Sequence, residues 1–550
     1  MEELQQSRLP GFSSLAEESR LAGVVKKQTP ILVILGNPPY SGISSNIGEW
    51  ITGLIEDYKY VNGKHFGEKK HWLQDDYVKF LRFAQWKIEQ AGRGVVGMIT
   101  NHGYLDNPTF RGMRQSLMRS FDDLYVLDLH GNALKKETRP DGSPDKNVFD
   151  IRQGVAIAFF VKRGGGQKAD GIVRHSELWG TRETKYDWLN AHDLAHTDWA
   201  QLRPVSAFYL FVPTDDALEA RYGKLPRVTE ILPVHSVGIV TARDGLTIHW
   251  TAEEVWKTVT VFSRMDPDLA RQGYRLGNDV RDWKIAMAQK DLLASGPARA
   301  KIASILYRPL DSRFTYYTGQ SRGFIGQPQQ RVMRHMLAGE NLALVMPRRV
   351  EHVGTWQHVF VVATISDHVV VSLKTVDYHF PLYLYPRADR QDLFKHHESS
   401  ERCSNLNPAV VSALMVAYGK APTPEDIIHY IYAVLYAPAY RTKYAEFLRR
   451  DFPRIPFTSD VKLFAELAAL GERLVGLHLL TSPDLDPPVC RFEGAGDGRI
   501  GKGRKEGLRY EPKGRRVYVN ATQHFAPVPE AVWSYQVGGY QVCEKWLKDR

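Results

Sequence analysis

A short apolar run, Ile31-Leu-Val-Ile-Leu35, ends in Gly36 and leads straight into Asn37-Pro38-Pro39-Tyr40. No other feature constrains the fold as strongly. A run without polar alternation, closed by glycine, reads as a buried strand of a parallel sheet. Two prolines cannot continue it, because each lacks the N–H that a strand ladder needs and fixes φ near about −65°. The carbonyls of this loop are therefore held with little freedom at the strand's carboxyl end. Downstream, Tyr77, Phe80, Leu81, Ala84 and Ile88 recur at helical spacing and predict a helix over 73–90. Val95–Thr100, Leu124–Leu129 and Val155–Lys162 read as strands, with a helix face of Phe110, Met113 and Leu117 between the first two. Strands alternating with helices predict an α/β sheet with crossover connections. Such sheets carry ligands at the carboxyl ends of their strands, which directs attention to the residues just after Leu35, Thr100 and Leu129.

The 550 residues are enough for three or four domains. Residues 1–30 read as a polar leader and 31–163 as the α/β part, with a break at Gly164-Gly-Gly-Gln-Lys-Ala-Asp-Gly171. Short β-rich runs dominate 172–385, two helical patterns occupy 409–482, 483–516 reads as a basic linker, and 517–550 is an aromatic-rich tail. Charged residues at 24% and aromatics at 11% exclude wholesale disorder. Cys403, Cys490 and Cys543 lie too far apart in sequence for a disulfide framework or a C-x-x-C zinc site. The acidic, polar start is not a signal peptide, and the most apolar stretch, Val359–Leu373, is interrupted by Ser366, Asp367 and His368. The expectation is a cytoplasmic protein with no metal and no membrane partner. A net charge of +10 is compatible with a polyanionic partner.

The Asn37 amide oxygen and the Pro38 carbonyl can each accept a hydrogen bond from an exocyclic amino group, leaving the nitrogen lone pair concentrated for attack. Pro39 stiffens the loop, and Tyr40 offers a face on which a planar base can stack, a contact of roughly 1–3 kcal/mol. The same four residues also serve as a rigid strand-terminating turn.

Asn37-Pro-Pro-Tyr40 resembles motif IV of the N6-adenine DNA methyltransferases, and longer segments resemble the Type ISP restriction–modification enzymes. These include Trp72–Phe80, Gly97–Leu117, Asp128-Leu-His-Gly-Asn132, Asn147–Ile157, Tyr307–Phe314, Tyr436–Tyr444 and Gly538–Asp549. The resemblance implies a partial Rossmann-like methyltransferase sheet followed by a mixed α+β target-recognition domain and a helical C-terminal region. It implies methyl transfer from S-adenosylmethionine to an adenine extruded from double-stranded DNA, since N6 is out of a donor's reach within the duplex. Asn37 and Pro38 would orient the amino group and Tyr40 would stack on the ring. Phe149 is the candidate for the opposite face, although it also reads as an ordinary core aromatic. Arg111, Arg114, Arg348 and Arg349 are candidate phosphate contacts.

One departure is serious. The family's donor-binding half, with its Gly-rich turn, precedes motif IV, and Met1–Pro30 contains no such unit. The chain therefore reads as the downstream portion of a larger enzyme. Its nuclease, helicase and donor-binding parts would lie upstream or on a partner chain. A permuted arrangement would instead use Phe492-Glu-Gly-Ala-Gly496, which lacks the strand before and the helix after that such a turn requires. Gly496–Lys502 imitates a phosphate loop and fails on the same context. Pro144-Asp145 with Glu183-x-Lys185 imitates a nuclease signature by chance. The basic residues of 499–516 read as a solvated loop or as a phosphate track. A catalytically inactive DNA-binding specificity remnant is the alternative function. The same chemistry suits the amino group of RNA or of a protein glutamine, but the large β-rich region after Gly164 and the family resemblance favour DNA.

Overall fold

A computed structural model describes residues 18, 20–24, 29–40, 42, 44–67, 71–135, 137–165, 169–205, 208–350, 355–372, 374–386, 402–503 and 506–550. They form two units, 1–216 and 217–550. Most of the polar leader, the middle of the Gly-rich segment and most of 386–401 lie outside the described residues.

The first unit is built on six strands: β1 (Val33–Gly36), β2 (Gly94–Asn101), β3 (Asp123–Asp128), β4 (Val155–Lys162), β5 (Ile172–Glu177) and β6 (Ala200–Leu202). Their order is β1-β2-β4-β3-β5-β6. β1 is parallel to β2, and β4 is antiparallel to β2 and to β3. β5 is parallel to β3. The strands β1, β2, β3 and β5 therefore point one way, and their carboxyl ends share one rim. The crossovers are helices α1 (Asp76–Ala91) and α2 (Arg111–Ser120), and α3 (Arg182–Ala191) follows β5. α1 buries Tyr77, Val78, Leu81, Ala84 and Ile88 against the sheet, while Phe80 turns outward and is half exposed.

Two expectations are corrected here. The apolar run is a parallel strand, but it lies at the sheet's edge, with Val33 60% and Leu35 72% exposed. The Gly-rich segment is not a domain boundary, because β5, α3 and β6 beyond it complete the same sheet; the division falls near residue 216.

The second unit contains β7 (Ser236–Val237), β8 (Ile302–Arg308), β9 (Asp311–Tyr316), β10 (Ala343–Pro347), β11 (Phe360–Val362), β12 (Ile365–Ser366) and β13 (Asp377–Pro381). A three-stranded sheet has the order β9-β8-β12, and a four-stranded sheet the order β11-β10-β13-β7. Helices α4 (Ala252–Phe262) and α5 (Ile285–Ser295) lie among these strands, so the region is mixed, as the α+β reading expects. α6 (Pro424–Tyr436), α7 (Ala445–Arg450) and α8 (Val461–His478) form the expected helical part. β10 is buried along its whole length. Its alternate side chains serve two cores, as a period of two requires. Leu344 and Met346 pack with Ile427, Ile431 and Phe464, whereas Ala343 and Val345 pack with Val259, Phe262 and Leu292.

The supposed linker over 483–516 is folded. β14 (Arg491–Glu493), β15 (Arg509–Glu511), β16 (Arg516–Tyr518) and β17 (His524–Ala526) make an antiparallel sheet in the order β14-β17-β16-β15. Strands this short, spaced by glycine and charge, carry too little alternation to be recognised in sequence.

Candidate functional site

Asn37, Pro38, Pro39 and Tyr40 leave the carboxyl end of β1 and so stand on the shared rim. Asn37 and Pro39 are exposed, Pro38 is buried and Tyr40 is half-buried. The Tyr40 hydroxyl lies 3.1 Å from the Asn37 Oδ1 and 3.1 Å from the Ile99 carbonyl on β2, so its single proton is shared between them. Burial pushes this phenol up to about 12, which keeps it a donor. The contact sets the orientation of the Asn37 amide, oxygen toward the phenol, and leaves that oxygen a second lone pair. Tyr77 from α1 meets the Tyr40 ring edge-on, with centroids 6.3 Å apart.

Phe149 is brought to the same place. It is half-buried and, like Tyr40, packs against the small cluster of Leu127, Leu129, Val148, Val155 and Leu178. Its loop is stapled by Asn147, whose amide donates to the Gly131 carbonyl at 3.2 Å and the Gln153 carbonyl at 2.6 Å. Gly131 sits at φ +77°, and a Cβ there would lie 2.4 Å from the Asn147 Cα, so only glycine allows the two loops to touch.

Behind this rim lies a buried polar network to which sequence reasoning assigned no role. Asp128, the last residue of β3, accepts from the His102 Nδ1 at 3.0 Å and the His130 backbone N–H at 2.9 Å. The Asn132 amide nitrogen is 2.9 Å from the His102 Nε2, and its amide oxygen accepts from the Lys135 N–H. With the oxygen so engaged, Asn132 offers an N–H to Nε2, and His102 is held as the Nδ1–H tautomer. Gly154 makes room for that ring, since a Cβ would come within 2.3 Å of it. The His130 ring stacks on Trp179 with centroids 3.4 Å apart. His102, His130 and Glu137 offer ligand atoms within 4.8 Å of one another. Both nitrogens of His102 already have protein partners, so the group reads as a hydrogen-bonded support. The signal available in sequence was Asp128-Leu-His-Gly-Asn132 after one strand, together with His102 just after β2, which lies across β4 from it.

Burial favours a neutral Asp128, but the His102 ring and the His130 backbone N–H that donate to it outweigh burial and hold the carboxyl well below its ordinary value of 3.8. A carboxyl depressed on folding contributes stability that is complete above its unfolded value and is lost as pH falls toward its folded one. Asp128→Asn is therefore expected to cost about 1.5–3 kcal/mol at pH 7, the range for hydrogen bonds to a charged group. The gap between variant and unsubstituted protein should narrow as pH falls from 5 toward 2. Urea unfolding across that range measures it, and a gap that does not change would mean Asp128 is not ionised.

Asp145 and Lys185 do meet, at 2.9 Å and with both side chains fully buried. Glu183, however, is exposed on the first turn of α3, so no pair of carboxylates converges there and the nuclease resemblance stays fortuitous. Arg114 corrects an expectation. It is fully buried, and its guanidinium donates to the carbonyls of Tyr104, Asn107 and Phe208, so it braces the fold and is not presented to a phosphate. Arg111 is half-buried, its guanidinium 4.0 Å above the Phe66 ring. In the second unit, Arg348 is exposed and pairs with Asp451 at 2.8 Å, and Arg349 is half-buried. Phe492 lies within β14, paired with Phe525, and no helix follows the glycines after it among the described residues. That removes the context for a donor-binding or phosphate-binding turn. No helix among the described residues is long and apolar enough to cross a membrane.

Residues 230–550 match the family model of the Type ISP C-terminal specificity domain. The DrdV–DNA complex, solved by cryo-electron microscopy, is similar over 98% of this chain and 53% of its own, at 24% identity and a TM-score of 0.70. The ATP-dependent Type ISP restriction-modification enzyme LlaBIII, bound to DNA, is similar over 99% of this chain and 36% of its own, at 21% identity and a TM-score of 0.70. A nuclease-deletion mutant of the Type ISP enzyme LlaGI, in complex with a DNA substrate mimic, covers 97% of this chain at 21% identity and a TM-score of 0.67. This chain spans 49% of that one. None of the curated protein sequences matches.

Proposed function

The chain belongs to the Type ISP family through its C-terminal specificity domain, and from that premise we propose that it is the adenine-N6 methylation and target-recognition part of a restriction–modification enzyme. The observation that carries this reading is the rim itself, where Asn37, Tyr40 and Phe149 stand at one set of strand ends, with Tyr40 and Phe149 against one apolar cluster. An adenine extruded from double-stranded DNA would lie between the two rings. Its amino protons would be accepted by the remaining lone pair of the Asn37 Oδ1 and by the Pro38 carbonyl. Withdrawing both protons into hydrogen bonds pulls the N6 lone pair out of conjugation with the ring and points it away from the base. The two loops act by position, since the amide is set by Tyr40 and the aromatic faces by β2 and Asn147. S-adenosylmethionine, when bound, supplies an electrophilic methyl carbon.

The exposed edge of β1 supports a donor site that lies outside the described residues. β1 has no neighbour on its outer side among them, and its side chains Val33 and Leu35 are the exposed ones. Strands of a parallel sheet are ordinarily buried on both faces. The chain also spans about half or less of the structures it resembles. The donor-binding half is therefore assigned to polypeptide that adds to β1, in the same protein or on a partner. The exposed edge also favours a second reading, a specificity remnant that binds DNA without transferring a methyl group.

Calorimetric titration with S-adenosylmethionine tests the assignment. No binding is expected to the 550 residues alone, and micromolar binding to the longer protein. Micromolar binding to the 550 residues alone would place the donor site within them and overturn the division. A longer protein that binds duplex DNA and never methylates it would leave the remnant.

A further inference from the structure

In the second unit, six arginines converge from three parts of the chain: Arg227, Arg348, Arg349, Arg449, Arg450 and Arg454. Backbone contacts fix the convergence. Arg227 and Arg454 form a bridge between neighbouring segments, and the Val350 N–H donates to the Arg449 carbonyl at 3.0 Å. The Val228 N–H donates to the Pro453 carbonyl at 2.9 Å, closing the same locale from the other side. One carboxylate, Asp451, binds two of the six: Arg348 at 2.8 Å and Arg227 at 3.4 Å, on different oxygens. Arg450 pairs with Glu446 at 3.2 Å, and Arg454 lies 3.9 Å from Glu230. Of the four in ion pairs, the more exposed side chains are those of Arg348, 45%, and Arg227, 32%; those of Arg454 and Arg450 are 19% and 12% exposed.

Collecting like charges on rigid backbone opposes folding through mutual repulsion, and an anion relieves it. Guanidinium groups suit phosphate in particular, because their planar fork donates to two oxygens at once. Asp451 holds two such forks side by side at the surface, while Arg450 and Arg454 lie deeper and raise the positive potential. We infer that this cluster grips the phosphate backbone of duplex DNA, with Arg227 and Arg348 as the contacting pair. A backbone grip of this kind sets affinity and orientation and carries no sequence information. The inference rests on DNA being the partner, as proposed above, and goes further in naming the surface.

Fluorescence anisotropy of a labelled duplex, titrated with the full 550-residue chain from 50 to 250 mM KCl, tests it. Each neutralised phosphate contributes about 0.9 to the slope of log affinity against log salt. R227Q/R348Q is expected to weaken binding at least about tenfold at 100 mM KCl and to lower the slope by about two. The loss should be the same for any duplex sequence. R348Q alone, a surface change that leaves Asp451 paired with Arg227, should remove about one unit of slope and serves if the double variant does not fold. An unchanged slope, or a loss confined to one sequence, would overturn the inference. So would competition by millimolar inorganic phosphate at constant ionic strength, which would mark a simple anion site. Duplex binding that survives unaltered in these variants leaves the DNA reading standing and removes only the cluster. Absence of duplex binding in the unsubstituted chain removes both.

Discussion

Asn37→Ala, introduced into the complete enzyme, is expected to lower methyl transfer to adenine by about 10²–10³-fold, the loss that follows removal of one preorganised polar group aimed at a reacting centre. Asn37 is exposed, and its side chain contacts the Tyr40 hydroxyl. That hydroxyl keeps the Ile99 carbonyl as a second acceptor, so folding should change by less than about 0.5 kcal/mol. Duplex affinity, set mainly by phosphate contacts, should stay within about twofold. Single-turnover transfer of a labelled methyl group separates the two effects. If Asn37 acts as proposed, the rate should collapse at saturating DNA and donor, because the missing acceptor would act on the amino group as it reacts. Asn37→Asp, which keeps an acceptor in place, should retain more activity than the alanine variant. Transfer that continues at the normal rate in Asn37→Ala would show the loop to be a structural turn.

The second large effect concerns stability. The Lys185 Nζ donates to the Asp145 Oδ2 at 2.9 Å, the Leu129 carbonyl at 2.7 Å and the Lys146 carbonyl at 2.6 Å, so each ammonium proton has an acceptor. Both side chains are fully buried. Burial pushes the Lys185 amine down, while Asp145 pulls it back up. Lys185→Met removes the cation and leaves a buried carboxylate and two buried carbonyls without their donor, a change of about 3–5 kcal/mol. Urea unfolding should show it as a lower midpoint with an unchanged slope. Adding Asp145→Leu to Lys185→Met should recover much of the loss, since the stranded charge is what costs most. A single variant that loses less than about 1 kcal/mol would mean that water reaches the pair. The consequence reaches the rim, because Lys185 ties α3 to the loops that carry Leu129 and Lys146, one on each side of Phe149's support.

Some of this was legible in the sequence and some was not, for identifiable reasons. The strands at Val95, Leu124 and Val155 and the rim after Leu35, Thr100 and Leu129 follow from apolar runs and their termini, which are local properties. The exposure of Leu35 is not local, because an apolar run carries no record of whether a neighbour exists on its far side. Arg114 reads in sequence as a candidate phosphate contact near the catalytic rim. Its burial depends on three carbonyls, one of them contributed by Phe208 at a distance in sequence that no periodicity reveals. Lys185 and Asp145 were discounted as half of a spurious motif, and the pairing that matters lay inside that coincidence. The network of His102, Asp128 and Asn132 uses residues of ordinary type, and only the adjacency of β2 and β3 to β4 brings them together.

β10 serves two cores at once, and that arrangement governs the order in which the second unit can be made. Phe464, which covers one face of the strand, is synthesised 120 residues after Leu344. On a ribosome adding about 5–20 residues per second, that face waits roughly 6–24 s for its cover after the other face has met its own partners. A strand with one apolar face open for that long is a site for wrong partners and for chaperones. Removing α6 and α8 takes away part of the cover that Leu344, Met346 and Phe380 share. Truncation between β10 and α8 is therefore expected to expose apolar surface and favour aggregation over a smaller folded domain.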